Sequence, residues 1–442
     1  MAVSYFKASC SALTLSLTLG TSLAPPAMAQ QPSQENTDVM PVKDIKAFAD
    51  AFEQIKQDYV ENVSNETLLT GAIRGMLERL DPHSDYLDAS QLKQLRQQTD
   101  GEFSGIGIQL GYEDGRLVIV STLDHSPAQK AGLKPHDTLR LINGTSTAGL
   151  NLDKVSELLR GEAGSRVTLG IQHPGSHAIS NLTLTRTTLH SDSVSSQLLD
   201  NGIGYLKISD FQTTTGEEVE RALAQFKRNR LKGLVLDLRD NPGGVLDAAV
   251  QVTSQFVKRG LVVYTKGRDS ASNQQMNVTG HTSVANTVPM VVVINGNSAS
   301  AAEIVAGALK DHHRAVIVGT NSFGKASVQT VFPLDNGGAL KLTTARYFTP
   351  SGHSIQLNGI QPDVQVAPAR VIPDKTQHGI REVDLARHLA NTDGADTITP
   401  TTGESDETAL TADDYQLEQA MNLLKGMMFM SATAPAHASS NG

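Results

Sequence analysis

The sequence predicts an α/β multidomain chain, and three observations carry that reading. From Gly204 onward, apolar runs of strand length (Tyr205 to Ile208, Gly233 to Leu238, Met290 to Ile294, Ala315 to Val318) alternate with helical stretches (Thr215 to Phe226, Val245 to Val257, and one after Ser300). That alternation is the pattern of βαβ units on a largely parallel sheet. Ahead of it, residues 101–187 break into short strands punctuated by glycine turns. Amphipathic helices flank both blocks, with apolar residues at spacings of three and four.

The 442 residues suffice for two or three cores. A formal charge of −9 with both signs interspersed gives no electrostatic footprint for nucleic acid or an anionic membrane. Residues 1–29 have the layout of a secretory signal peptide: Lys7, a Leu-rich stretch from Ala12 to Leu23, then Ala27-Met28-Ala29 as an A-x-A cleavage site. The apolar run is too short to span a bilayer. Cleavage would remove Lys7, taking the charge from −9 to −10 (−9 − 1), and Cys10, the only cysteine. The mature chain would then have neither a disulfide nor a catalytic thiol. The expected product is soluble and exported, in the periplasm.

Residues 30–43 are polar and read as a disordered leader, and residues 44–100 as a helical segment. Ile45, Phe48, Phe52, Ile55 and Tyr59 mark one amphipathic helix; Leu69, Ile73, Met76, Leu77 and Leu80 mark a second. Leu80-Asp81-Pro82-His83-Ser84-Asp85-Tyr86-Leu87 follows, with His83 read as a turn residue rather than a ligand or base. In residues 101–187, Phe103-Ser104-Gly105-Ile106-Gly107-Ile108 opens the block, Asn143-Gly144 is a hairpin signal, and Asn151 to Arg160 should be a helix with Val155, Leu158 and Leu159 inward. This order of loop, turn, hairpin and helix resembles a PDZ domain. The resemblance makes Gly105, Ile106, Gly107 and Ile108 a peptide-binding loop, whose bare N–H groups capture a chain terminus while the peptide adds to the sheet edge. A β-rich domain with no ligand is the alternative.

Residues 188–370 hold the α/β block. The strand ending at Leu238 runs into Arg239-Asp240-Asn241-Pro242-Gly243-Gly244, where a Gly-Gly turn serves either as a tight connection or as a way of bringing N–H groups near a reacting oxygen. The run Met290 to Ile294 ends in Asn295-Gly-Asn-Ser298-Ala-Ser300, and the small apolar residues after it start a helix. A serine at a helix N-terminus is either an N-cap or a nucleophile with oxyanion donors beside it. Parallel neighbouring strands would bring the loop Gly319 to Lys325 beside that turn, so Lys325 is expected to face Ser300. Residues 371–409 read as a linker, 410–430 as an amphipathic helix through Leu417, Met421 and Leu424 with a Thr411/Asp414 capping box, and 431–442 as a disordered tail. The patch Met427 to Met430 either folds back on the core or contacts another subunit.

S-A-S-A-A-E-I followed by G-K-A-S-V-Q resembles the C-terminal processing peptidases, or tail-specific proteases, and the likeness runs over about residues 44–366. It implies a crotonase-like α/β core with the PDZ domain inserted ahead of it. By the family pattern Ser300 is the nucleophile, Lys325, 25 residues on (325 − 300), is its general base, and Gln329 orients the amine. Gly243, Gly244 and Ala301 are the implied oxyanion hole, and the L-D-P-H-S-x-Y stretch a structural feature. Ala302 stands where the family commonly has serine, which leaves the dyad untouched. An ordinary lysine, with a pKa of about 10.4, is protonated at neutral pH, so burial must depress it. The implied activity is an endopeptidase that works through an acyl-enzyme without metal or organic cofactor. Its implied partners are proteins and peptides with free apolar C-termini; a homo-oligomer through the terminal helices and an adaptor protein stay open. Rival readings are a crotonase-like hydrolase or hydratase, opposed by the PDZ block, and a catalytically silent PDZ scaffold, opposed by the intact Ser300, Lys325 and Gln329. A chymotrypsin-type protease would need G-N-S-G-G, which Gly296-Asn297-Ser298-Ala299 breaks.

Overall fold

The structure is a computed structural model that describes residues 40–199, 201–280, 288–370, 386–387, 389, 410–411 and 413–433. The expected signal peptide, residues 30–39 of the leader, most of the linker and residues 434–442 lie outside the described residues; the expected leader's last residues, Val42 and Lys43, already belong to a helix. The chain divides after Leu69 into two units. In the first, the helix Val42–Asp58 buries no residue, and Ile45, Phe48 and Ile55 along its apolar stripe are exposed.

In the second unit, a six-stranded sheet runs in the order Val194–Leu198, Ile203–Ile208, Gly233–Asp237, Met290–Ile294, Val316–Gly319, Val364–Gln365. All neighbours are parallel except the first pair. Because side chains alternate along a strand, Leu234, Leu236, Val292 and Ile294 point into one core, while Val235, Val291 and Val293 point into another. The first core is closed by the helices Thr215–Arg228, Leu246–Ser254 and Ala301–Asp311. The second is closed by the C-terminal helix Tyr415–Thr433 through Leu417, Ala420, Met421 and Leu424. Burying Leu417, Met421 and Leu424 contributes roughly 1.5–3 kcal/mol each as an upper bound, enough to dock the helix firmly.

The C-terminal helix departs from expectation at both ends. Asp414, not Thr411, caps it, accepting from Leu417 N–H at 3.0 Å, and it extends to Thr433 rather than stopping at 430. Asp414 is recruited because Arg239 grips it with both terminal nitrogens, at 2.7 and 2.6 Å, while also holding the fully buried Asp237. Met427 and Met428 pack on the core, whereas Phe429 and Met430 stay exposed.

A second, antiparallel sheet has Ala339–Phe348 at its centre, paired with Asp85–Leu87, Leu261–Gly267 and Ser327–Pro333. A helix absent from the sequence-based expectation, Ala89–Thr99, packs on it through Leu92 and Leu95. The residues 101–187 form an antiparallel sheet in the order Ile108–Glu113, Arg116–Thr122, Thr138–Ile142, Arg166–Gln172, Ser180–Thr185. Its core gathers Ile106, Ile119, Leu139, Val155 and Leu169. The block enters and leaves through one ribbon, Glu102–Gly105 against Thr187–His190, the geometry of an insertion.

Candidate active site

Parallel pairing of Met290–Ile294 with Val316–Gly319, in register from Val291↔Val316 to Ile294↔Gly319, delivers both following loops to the same sheet edge. The two serines of the first loop differ sharply. Ser298 is fully buried; its Oγ donates to Leu238 O at 2.8 Å and accepts from Asn295 N–H at 3.0 Å, so it is a structural tie. Ser300 is half-buried, on a left-handed backbone with φ 54° and ψ −114°. For a residue with a Cβ, such backbone strain costs roughly 1–3 kcal/mol.

Glu303, one turn into the helix, holds that backbone in place. Its Oε2 accepts from Ser300 N–H at 2.8 Å and Lys325 N–H at 2.9 Å; its Oε1 accepts from Gly324 N–H at 2.7 Å and Ser322 Oγ at 2.5 Å. One fully buried carboxylate therefore welds the serine turn to the lysine loop. Burial pushes its carboxyl up, and the four donors pull it back. Tyr347 hydroxyl reaches both Ser300 O, at 3.1 Å, and Lys325 O.

Ser300, Lys325 and Gln329 line one cleft of about 850 Å³, with Gly243, Gly244, Ala301, Tyr347 and Lys341. Leu95, Gln98 and Thr99 of the helix Ala89–Thr99 form another wall. Burial pulls the Lys325 ammonium below the ordinary lysine range and the positive charge of Lys341 pulls it further, while Asp81 and Glu303 act the other way. Gln329 is turned to its own strand neighbourhood: Nε2 donates to Ser327 Oγ at 2.9 Å and lies 3.4 Å from Thr343 Oγ1. Among the described residues, the Lys325 amine makes no hydrogen bond or ion pair.

The two glycines play different parts. Gly243 N–H is committed to Asn241 Oδ1 at 2.8 Å, so it is not a free oxyanion donor here. A Cβ on Gly243 would come within 2.6 Å of Ser300 Cβ, and its φ is +99°, so its task is to let the turn lie against the serine. Phe211 N–H donates to Gly243 O at 2.8 Å and Phe211 O accepts from Val245 N–H at 2.7 Å, so the bridge uses neither polar group of Gly244. Among the described residues the N–H groups of Gly244 and of Ala301, which starts the helix, make no hydrogen bond.

In the β-rich block, Gly105, Ile106, Gly107 and Ile108 line a groove of about 240 Å³ against Leu152, Ser156, Leu159 and Arg160. The groove helix, Leu152–Leu159, is capped by Asn151 Oδ1 on Lys154 N–H at 2.9 Å. Arg186 secures its far end, donating to Leu159 O at 2.7 Å and Leu158 O at 3.2 Å. Ile106 side chain is buried in the block's core, leaving its backbone to the groove. Gly107 is at φ +76°, with Ser126 Cβ 2.3 Å from where its own Cβ would be.

Glu303, Lys341, Tyr347 and the helix Ala89–Thr99 were not singled out from sequence. The first had a signal: Ser300-x-x-Glu303 spells a capping box. So did the helix, whose Asp88 and Gln91 form a reciprocal cap. Among the described residues no cluster of three or more His, Cys, Asp or Glu is placed to hold a metal ion, and no helix is long and apolar enough to cross a membrane.

Residues 202–366 match peptidase family S41, residues 118–173 match a PDZ domain, and residues 17–91 match the N-terminal domain of the activating protease CtpB. A carboxy-terminal-processing protease of Bartonella bacilliformis is 38% identical over 416 residues, spanning 90% of this chain and 92% of that one. The carboxy-terminal processing protease CtpB of Bacillus subtilis is 36% identical over 348 residues, spanning 78% of this chain and 71% of that one. Among solved structures, the photosystem II D1 C-terminal processing protease is 32% identical, with 74% of this chain and 94% of that chain covered and a TM-score of 0.44. Identity of this extent, across the peptidase core and the inserted block alike, means that the chain belongs to the carboxy-terminal-processing proteases of peptidase family S41 and is a serine peptidase carrying a PDZ domain.

Proposed function

We propose that the protein is an exported endopeptidase in which Ser300 attacks the scissile carbonyl, Lys325 is the general base, and the N–H groups of Gly244 and Ala301 receive the oxyanion. The observation that carries this reading is the pairing of a strained, half-buried Ser300 at a helix N-terminus with a partly buried, charge-depressed lysine on the next parallel loop, in one cleft. Attack forms an acyl-enzyme as the Ser300 proton passes to neutral Lys325, which then protonates the leaving amine; water hydrolyses the ester. Ser298 is the poorer candidate, because both its donor and acceptor roles are spent on backbone. Cleavage of an unfolded protein by wild type, and its loss in Ser300→Ala and Lys325→Ala but not Ser298→Ala, tests this assignment. Activity surviving in Ser300→Ala would overturn it.

The PDZ groove selects the substrate by its end. Backbone N–H groups around Gly105 to Ile108 suit a terminal carboxylate, and Leu110, Leu152 and Leu159 suit apolar side chains before it. Amidating a substrate's C-terminus, or adding two aspartates to it, should raise KM with little change in kcat; equal KM values would remove terminus recognition. Export predicts that the protein isolated from a cell envelope begins at Gln30, and an intact Met1 would count against it.

A further inference from the structure

The turn after the helix Asn65–Glu78 is wired into the wall of the cleft. Asp81 Oδ1 accepts from His83 N–H at 2.8 Å and Ser84 N–H at 3.0 Å, and Oδ2 accepts from Ser84 Oγ at 2.7 Å. The same Oδ1 accepts from Thr343 Oγ1 at 3.1 Å, and Ser84 Oγ accepts from Thr343 N–H at 3.1 Å. Thr343 is the cross-strand partner of Gln329, beside a register shift between Val328 and Gln329. Its Oγ1 lies 3.4 Å from Gln329 Nε2.

The direction of these bonds is fixed by chemistry. An ionised carboxylate only accepts, so the single Thr343 hydroxyl hydrogen is spent on Asp81. Thr343 Oγ1 can then offer Gln329 only lone pairs, which selects the NH2 end of the carboxamide, and Ser327 Oγ takes the same end. The Oε1 end is left without these partners, and in the cleft that Gln329 shares with Lys325 it is the end able to accept from the amine. An amine that gives its N–H groups to such an acceptor keeps its lone pair for the serine proton, which is what a lysine base needs.

We propose that Asp81 is a positioning residue of the peptidase, which acts through Thr343 to set which end of the Gln329 carboxamide is presented to the catalytic lysine. This rests on the Ser300/Lys325 assignment above. Asp81 is half-buried; burial pushes its carboxyl up, but hydrogen bonds from Ser84, His83 and Thr343 hold it below the usual range, so it is ionised at neutral pH. Its charge has a second consequence. The ionisable groups acting on Lys325 are Lys341, which disfavours the ammonium, and Asp81 and Glu303, which favour it. His83, close enough to feel Lys325, is itself depressed by burial and by that lysine, and is neutral.

The test is the pH profile of kcat and KM on a fluorogenic peptide with a free apolar C-terminus, for wild type, Asp81→Ala, Asp81→Asn, Thr343→Val and the Asp81→Ala/Thr343→Val double variant. Asp81→Ala should lose on the order of 10²-fold in kcat with KM within about twofold. Thr343→Val should lose about tenfold, and the double variant should be no worse than Asp81→Ala, since the two act in one chain. Asp81→Asn keeps an oxygen on the two N–H groups and Thr343, so it should retain most of kcat while its acid limb moves to lower pH, because a charge that favoured the ammonium is gone. Full activity in Asp81→Ala, additive losses, or an acid limb unmoved in Asp81→Asn would overturn the proposal. Should Asp81→Ala fail to fold, Asp81→Asn and Thr343→Val decide alone. Lys325→Ala measured alongside separates the two claims: an active Lys325→Ala overturns the dyad, whereas an inactive one with unaltered Asp81 variants overturns only Asp81.

Discussion

The two sides of the cleft are built on opposite principles. On the serine side the groups that shape the turn are tied down: Ser298 to Leu238 and Asn295, Gly243 to Asn241, Asn241 Nδ2 to Ile208 O at 2.8 Å, and Ser300 N–H to Glu303. On the lysine side the backbone is equally fixed, through Lys325 N–H on Glu303, but the amine makes no hydrogen bond or ion pair among the described residues. The Ser300 turn is set by hydrogen bonds made in the fold; the Lys325 amine, the base under the proposed mechanism, is set by burial and by the charges of Lys341, Asp81 and Glu303. The lesson is that losses on the serine side should be geometric and insensitive to pH, whereas losses on the lysine side should move with pH.

The largest effects should come where the two sides meet. Ser300→Ala and Lys325→Ala are each expected to cut kcat by at least about 10³-fold with circular dichroism and melting nearly unchanged, because a nucleophile and its base act as one unit. Lys325→Arg should be as inactive, since guanidinium stays protonated. A Lys325→Arg enzyme with robust turnover would break the comparison at its root.

Next comes Glu303, which belongs to both sides. Each of its oxygens receives two donors, so Glu303→Gln places an NH2 group against donors whichever way the amide is turned. We expect a loss on the order of 10²-fold in kcat from displaced backbone, and for Glu303→Ala a stability loss of about 3 kcal/mol or more from buried donors left unpaired. Denaturant titration and kinetics check both; because the Glu303 charge also favours the Lys325 ammonium, its loss lowers that lysine's pKa, so the kcat deficit should be constant above the pKa and smaller below it. A deficit that stayed constant down through the acid limb would put Glu303 on the geometric side alone.

Much of this was legible in the sequence, for identifiable reasons. The strand Met290–Ile294 lies where its apolar run puts it, and the groove helix Leu152–Leu159 falls between its expected ends, because period and capping are local signals. The helix Ala89–Thr99 was missed because its only apolar side chains beyond Ala89 are Leu92 and Leu95, too few to show as a stripe among Lys, Arg and Gln. The lysine-side electrostatics were illegible for a different reason. Asp81 and Thr343 are 262 positions apart, and Lys341 stands beside the cleft only because Ala339–Phe348 pairs with Ser327–Pro333. No local pattern encodes an antiparallel register of that range. Gly243 illustrates a subtler limit: a Gly-Gly turn announces close approach, but which N–H is spent internally depends on Asn241 folding back.

The smallest effect is also the sharpest discriminator. Lys341 lines the cleft and, as a like charge, pulls the Lys325 pKa down. Lys341→Gln removes that repulsion while leaving Glu303, Asn241 and Gly243 as they are. The ammonium of Lys325 becomes easier to form, so its pKa rises and the acid limb of kcat/KM should move to higher pH, opposite in sign to Asp81→Asn. Because the base is neutral above its pKa in both enzymes, the difference should be a few-fold near neutrality and vanish at high pH. A profile lowered by a constant factor at all pH values would mean that Lys341 contacts substrate rather than tuning the base. A shift in the same direction for Lys341→Gln and Asp81→Asn would mean that charge does not set the lysine at all, and the contrast between the two sides of the cleft would fail.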